Sequence, residues 1–522
     1  MSKSPNILIF MTDQQNASTV NSDGHHRAKT PHLDAYRKKA ISFEKAYSPS
    51  PHCCPSRTSF FTGRYPSEHG VWNNVNVSNA LTRGPRENTP FWSRGLKDAG
   101  YNLAFAGKWH VSNWQSPKDF GWTELLVTSI GFGSGLTLEE QRDEAREREL
   151  SLLDGPVPRS ETRKPGEVIR PGWPDYIHYG TNEDPFGDGK VVDSAIDHLR
   201  ENLSKEDEPW CMFVGTVGPH DPYIPPQEYL DWYDPADIRL PDSFKDTMDD
   251  KPGLYRRTRD RFDQLTQAEH KEALRHYLAF CSYEDALFGR LLATLDETGE
   301  CENTIVMYLS DHGDYAAEHG LWGKGLPSFQ SAYRIPLVVG GPDMPATVKG
   351  QVCKRPTSLV ELGESIMELS GTVEKSGTSN QSTLTQILTN GPEHVSSKND
   401  LFFQSNGNEA YGLQRAVISD GWKLVYNMFD NDELYDLKND PEELHSLLSK
   451  PLGERKLGRG PLDIIPSDLR PVVERLYEKL WTFGLLHQDE NINDYILTAL
   501  APYGPGIAKT APSEQATGKT NV

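Results

Sequence analysis

Over residues 1 to about 370, short apolar runs alternate with longer stretches of helical spacing, and this alternation constrains the fold more than any other feature. The runs at 6–10, 102–106, 210–214, 304–309 and 337–339 read as strands, and the segments 31–40, 91–99, 193–203, 270–297 and 358–369 read as helices. Strands that are apolar along their whole length have both faces covered. The pattern therefore predicts an α/β fold, a mixed but mainly parallel sheet sandwiched by helices. Beyond about residue 375 the segments shorten. Those at 416–419, 422–427 and 433–437 read as an antiparallel meander that ends in a helix near 469–481. A chain of 522 residues exceeds what one hydrophobic core ordinarily serves. The expected division is a large domain at 1–375, a smaller C-terminal α+β domain at 376–500, and a flexible tail at 501–522 rich in Pro, Gly, Thr and Ser. The segment 120–174, mixed in charge and broken by prolines, reads either as a helical insertion with loops over a site or as a solvated excursion without a role.

The formal net charge is −21, which argues against a nucleic-acid or acidic-membrane partner because either needs a dominant basic face. An anionic substrate would approach against that field, so its site must supply a metal and a few placed cations locally. No run approaches the length that spans a bilayer. The apolar residues 7–11 are too few for a signal-peptide core and lead directly into Thr12-Asp13-Gln14-Gln15, so a buried first strand and a cytoplasmic location are expected. The six cysteines, two of them adjacent, form no disulfide framework.

Open α/β sheets bind ligands at the carboxyl ends of their strands, and the chemistry-bearing residues follow the strand-like runs. Asp13 and Gln14 follow the first; Asp311 and His312 follow 304–309. Two oxygen donors at one strand end and a carboxylate with an imidazole at another converge on one cation if those strands are neighbours. Taken singly, each Asp would be read as a cap or turn residue. Gly107-Lys108-Trp109-His110 follows the run at 102–106, and Gly218-Pro219-His220-Asp221-Pro222-Tyr223 follows the run at 210–214, with prolines that fix the loop around His220.

The segment Cys53-Cys54-Pro55-Ser56-Arg57, followed by Thr62-Gly63-Arg64, resembles the sulfatase signature at every fixed position. Its spacing selects Cys53 over Cys54, because Pro falls two residues on and Arg four. Without the motif, both cysteines would be read as small buried hydrophobes. The resemblance implies that a maturation enzyme oxidises Cys53 to formylglycine. The hydrated aldehyde then attacks sulfur through one hydroxyl and releases sulfate through the other, beside one divalent metal.

The resemblance also assigns Asp13, Gln14, Asp311, His312 and the modified Cys53 to the metal. The family often has Asp in place of Gln14 and Asn in place of His312. These departures leave magnesium and manganese open beside calcium. By the same resemblance, Lys108 neutralises a diol or sulfate oxygen, and His110 takes the proton when the covalent intermediate collapses. His220 is the candidate general acid for the leaving group. Lys324, within Glu318-His319-Gly320-Leu321-Trp322-Gly323-Lys324-Gly325, is the sulfate-binding lysine. Arg57, one helical turn after Cys53, is expected to point back at the same pocket and hold the modified side chain and the developing oxyanion. Asn73 and Asn74, after His69-Gly70-Val71-Trp72, read as surface turn residues ahead of the alternative, neutral donors that line the pocket.

The resemblance runs from residue 6 to about 447. It implies an alkaline-phosphatase-like core and hydrolysis of a sulfate monoester at an aryl, alkyl or carbohydrate oxygen. Gln14 and His312 keep open a formylglycine-dependent phosphonate monoester hydrolase or phosphodiesterase. A third reading is a sulfatase-like binding protein that never acquires formylglycine. The implied partners are a small anionic ester and the maturation enzyme, with a homo-oligomer possible.

Overall fold

Residues Asn6–Thr12 are buried at every position, and the computed structural model sets them in the middle of an eight-stranded sheet. The structure describes residues 4–20, 26–128, 163–169, 176–203, 208–342, 344–372, 382–396, 399–408, 410–428, 430–448 and 465–493, with 143, 146, 147 and 150. Its strands are β1 (Asn6–Thr12), β2 (Ile41–Phe43), β3 (Ala46–Tyr47), β4 (Asn102–Lys108), β5 (Thr123–Thr128), β6 (Trp210–Gly215), β7 (Thr304–Ser310), β8 (Arg334–Ile335), β9 (Leu337–Gly340), β10 (Val352–Cys353), β11 (Thr357–Ser358), β12 (Leu401–Gly407), β13 (Tyr411–Ser419), β14 (Trp422–Asn427) and β15 (Glu433–Asp436).

The large sheet runs β10-β2-β9-β7-β1-β6-β4-β5, parallel throughout except where β9 meets β7 and β2. A small sheet, β11-β3-β8, lies apart from it. Alternate side chains of β1 enter two different cores: Ile7, Ile9 and Met11 on one face, Leu8 and Phe10 on the other. The first face is covered by α2 (Cys53–Thr62), α3 (Trp92–Asp98), α6 (Glu361–Leu369) and α7 (Thr383–Asn390). The second is covered by α1 (Pro31–Arg37), α4 (Asp188–Glu201) and α5 (Gln267–Thr298). The 32-residue α5 starts at a capping box, Thr266 with Glu269, and stops at Gly299, whose φ of 75° suits glycine. Among the described residues, no helix is long and apolar enough to cross a membrane.

The mainly parallel, helix-covered sheet agrees with the sequence pattern, and two local expectations are corrected. The stretch after residue 120 is not wholly irregular, since β5 adds an edge strand parallel to β4; its half-exposed positions blur the apolar signal. The remainder of the expected insertion, apart from 163–169 and a few residues, lies outside the described residues, as does the tail at 501–522. The C-terminal meander has a fourth strand, β12, hidden in the sequence by Gln404, Ser405 and Asn406.

Helix α8 (Arg470–Leu486) packs Val473, Leu476, Tyr477, Leu480 and Trp481 on Val417, Leu424 and Leu434 of the four-stranded sheet β12-β13-β14-β15. Just past α8, the buried carboxylate of Asp489 accepts from Arg415 Nη2 (3.1 Å) and Gln404 Nε2 (3.1 Å). Asp489→Ala strands the Arg415 charge in the interior. It is expected to cost about 3–5 kcal/mol, read as a lowered denaturant midpoint. An unchanged midpoint would mean that the pair does not hold this end of the chain.

Candidate active site

β1 and β7 are neighbours, parallel and in register from Asn6↔Thr304 to Thr12↔Ser310. Asp13 and Asp311 therefore emerge side by side at the same sheet edge. Helix α2 begins at Cys53 and presents it to them; its end is marked by Gly63 in the left-handed region at φ 63°. The ligand atoms of Asp13, Cys53, Asp311 and His312 all lie within 4.8 Å of one another, and all four residues are buried. Cys53 Sγ is 3.2 Å from His312 Nε2 and 3.8 Å from Asp13 Oδ1.

Arg57, fully buried, crosses behind this group. Its Nε donates to Asp311 Oδ2 (2.8 Å), its Nη2 to Asp13 Oδ2 (3.0 Å), and its Nη1 to the Lys108 carbonyl (2.8 Å). Its guanidinium thus points back at the pocket, as expected, and there bridges two carboxylates. Lys108 Nζ lies 2.6 Å from Asp13 Oδ2. Burial and Cys53 push the Asp13 carboxyl up, but Lys108, His220 and Arg57 hold it well below the usual carboxylate range. Burial also opposes a thiolate at Cys53, yet Lys108, Lys324, His312 and His110 bring its thiol well below the usual value. The local positive field that the acidic chain requires is therefore present.

His110 Nε2 donates to Asn76 Oδ1 (2.9 Å), which leaves the lone pair on Nδ1, a buried atom with no hydrogen-bond partner among the described residues. Burial, reinforced by Lys108, pushes this imidazole down to about 4, so it is neutral near pH 7 and able to accept a proton. On the other side of the site His220 Nδ1 donates to the Asp221 carbonyl (2.5 Å), and Nε2 accepts from Lys324 Nζ (2.6 Å). Gln14 turns its side chain toward Lys324, whose ammonium donates to Oε1, while its backbone N–H donates to Asp311 Oδ1 (3.1 Å). Gln14 and His110 occupy the left-handed region at φ 65° and 53°, local strain that the surrounding packing maintains.

A sulfatase family model matches residues 5–372, well over half of the chain, and a model described as the C-terminal part of N-sulphoglucosamine sulphohydrolase matches residues 317–456. The chain belongs to the sulfatase family. As a sulfatase it is a hydrolase of sulfuric esters. It is 28% identical over 479 residues to a choline-sulfatase of Rhizobium meliloti, covering 88% of this chain and 84% of that one. In fold it is similar to the phosphonate monoester hydrolase SpPMH of Silicibacter pomeroyi, with a TM-score of 0.69, 19% identity, and coverage of 95% and 97%. It is also similar to BT4656 in complex with its substrate D-glucosamine-2-N,6-O-disulfate, with a TM-score of 0.66, 19% identity, and coverage of 94% and 100%. These two likenesses are ones of fold, the alkaline-phosphatase-like arrangement that the resemblance implies.

The donor set of this sulfatase fits the divalent metal its family implies. Two carboxylates, an imidazole and the position-53 side chain converge on one point, with both carboxylates pre-oriented by Arg57. Two features of the site were hidden in the sequence. Asp314, fully buried, accepts from Tyr223 Oη (2.7 Å) and Gln14 Nε2 (2.5 Å) and so sets the orientation of Gln14. Its place two residues after His312 was the available signal. Asn73 and Asn74 are buried rather than surface residues, and Asn74 Oδ1 accepts from Cys54 N (3.1 Å), satisfying a donor in the first turn of α2.

Proposed function

We propose that this sulfatase cleaves a sulfate monoester of an aryl, alkyl or carbohydrate alcohol, with Cys53 acting after oxidation to formylglycine. The observation that supports this most is the meeting of Cys53 with Asp13, Asp311 and His312 at the carboxyl ends of two paired strands. Asp13, Asp311 and His312 would hold the metal together with residue 53, and Gln14 Oε1 would join them by releasing Lys324. When bound, the metal and the formylglycine supply Lewis-acid charge and a hydrated aldehyde as nucleophile. Lys108 and Lys324 flank the sulfate oxygens and offset their charge in a site shielded from water. His110 Nδ1 takes up a proton. His220 and Lys324 share the Nζ–H···Nε2 contact that delivers a proton to the leaving oxygen. Calcium is the proposed metal, with magnesium and manganese as alternatives.

Chelation is expected to abolish turnover, and readdition of each metal ion in turn to restore it in order of fit. Full activity in metal-depleted protein would contradict the proposed metal site.

A second reading rests on Gln14 and His312, which give the site one carboxylate fewer and one nitrogen more than an all-oxygen calcium site would have. It makes the substrate a phosphonate monoester or phosphodiester, each a monoanion like a sulfate monoester. Comparing kcat/KM for 4-nitrophenyl sulfate, a 4-nitrophenyl phosphonate and bis-4-nitrophenyl phosphate separates the two; preferred phosphonate turnover would overturn the first.

We also propose the division of the chain near residue 375, supported by a four-stranded sheet drawn wholly from later residues. A cytoplasmic location is supported by six free cysteines, and cell fractionation tests it.

A further inference from the structure

Two buried carboxyl groups outside the metal cluster sit beneath the turn that carries His220. Asp188 opens α4 and is fully buried. Its Oδ1 accepts from Val217 N (2.8 Å) and its Oδ2 from Gly218 N (2.7 Å). Glu284, in the buried middle of α5, has no hydrogen-bond partner at either carboxyl oxygen among the described residues. It faces the Thr216 hydroxyl, which is also buried and has no other hydrogen-bond partner among the described residues. Glu284 is packed so closely on Gly218 that a Cβ there would lie 2.1 Å from Oε1. The same turn ties the two halves of the site together. Gly218 O accepts from Asp13 N (3.1 Å), and Val217 O accepts from His220 N (3.1 Å).

We infer that Asp188 and Glu284 are the positioning residues for His220: Asp188 grips the two N–H groups of the turn, and Glu284 seats Gly218 from below. Two carboxyl groups this close and this buried do not both ionise. Burial, and then Asp188, hold the Glu284 carboxyl well above its usual range; burial also raises Asp188, to about 7, against the pull of its two backbone donors, so Glu284 is the member of the pair that holds a proton more firmly. A charge-assisted bond from two backbone donors to one carboxylate fixes a turn more tightly than neutral contacts do. A shift of the turn would move His220 away from Lys324 and from the leaving oxygen.

This inference rests on the reading of His220 as general acid, and the dependence of rate on leaving group tests the two separately. Proton delivery matters little for 4-nitrophenolate and much for an alkoxide. Asp188→Asn places an amide N–H against a backbone N–H. It is expected to lower kcat about 100-fold for an alkyl sulfate but less than about 3-fold for 4-nitrophenyl sulfate, with KM changed less than about 3-fold for both. Should that variant not fold, Gly218→Ala displaces the turn from Glu284 without altering charge, and the same selective loss is expected. Glu284→Gln, a neutral isostere, is expected to retain the wild-type ratio of the two esters. Equal losses on both esters, or none, in Asp188→Asn and Gly218→Ala would overturn the inference, as would loss of the ratio in Glu284→Gln. His220→Ala is the control: a selective loss there with none in Asp188→Asn overturns only the positioning role, whereas equal losses in His220→Ala overturn the general-acid reading itself.

Discussion

Replacing Cys53 with alanine is expected to abolish ester hydrolysis, by at least about 10⁴-fold in kcat, while the protein stays folded. The nucleophile is the one group in the site whose chemistry no neighbour duplicates. Lys108, Lys324 and the carboxylates stabilise charge, but none can form and release a covalent bond to sulfur. The fold, by contrast, makes little use of the thiol. Cys53 is the first residue of α2, and its Sγ lies against polar groups of the cluster, His312 Nε2 at 3.2 Å and Asp13 Oδ1 at 3.8 Å. Alanine is a strong helix former, so the unfolding midpoint is expected to shift by no more than about 1 kcal/mol equivalent. Retained turnover in folded Cys53→Ala would contradict the assigned nucleophile, whichever ester is used.

The second large effect belongs to Arg57 and concerns stability as much as rate. Arg57→Met keeps the length and apolar stem but removes a guanidinium that donates to Asp13, Asp311 and the Lys108 carbonyl at once. Two carboxylates would then lie fully buried with less compensating charge, an imbalance expected to cost about 3–5 kcal/mol in metal-free protein. An added divalent ion binds the folded state and not the unfolded one, so saturating metal is expected to recover part of the lost midpoint. Affinity for that ion should nevertheless fall, since its ligands lose the group that orients them. A surface arginine would show neither effect. An unchanged midpoint and unchanged metal affinity would contradict the bridging role of Arg57.

The features legible in the sequence were local ones. The apolar run at 6–10 and the motif Cys53-Cys54-Pro55-Ser56-Arg57 each announce themselves within a few residues, and Asp13, Asp311 and His312 follow from their position after strands. The convergence of those groups was readable only conditionally. It depends on β1 lying against β7, a pairing between segments about 300 residues apart that no local pattern specifies. Orientation was less legible still. The spacing of Arg57 is correct for either direction of its guanidinium, and the buried carboxylates on both sides decide it. Asp188 and Glu284 were invisible for a related reason: a carboxylate on a long helix reads as a solvated face until the packing on every side is known. Edge strand β5 escaped because it is half exposed, and strand β12 because polar residues interrupt it.

The most direct measurement is the peptide mass at residue 53 in protein produced with the maturation enzyme, taken beside turnover on the same preparation. Conversion of the Cys53 thiol to an aldehyde, with kcat per mole of protein rising in proportion to the converted fraction, is the expected result. Full turnover in protein whose residue 53 is entirely unmodified cysteine would contradict it.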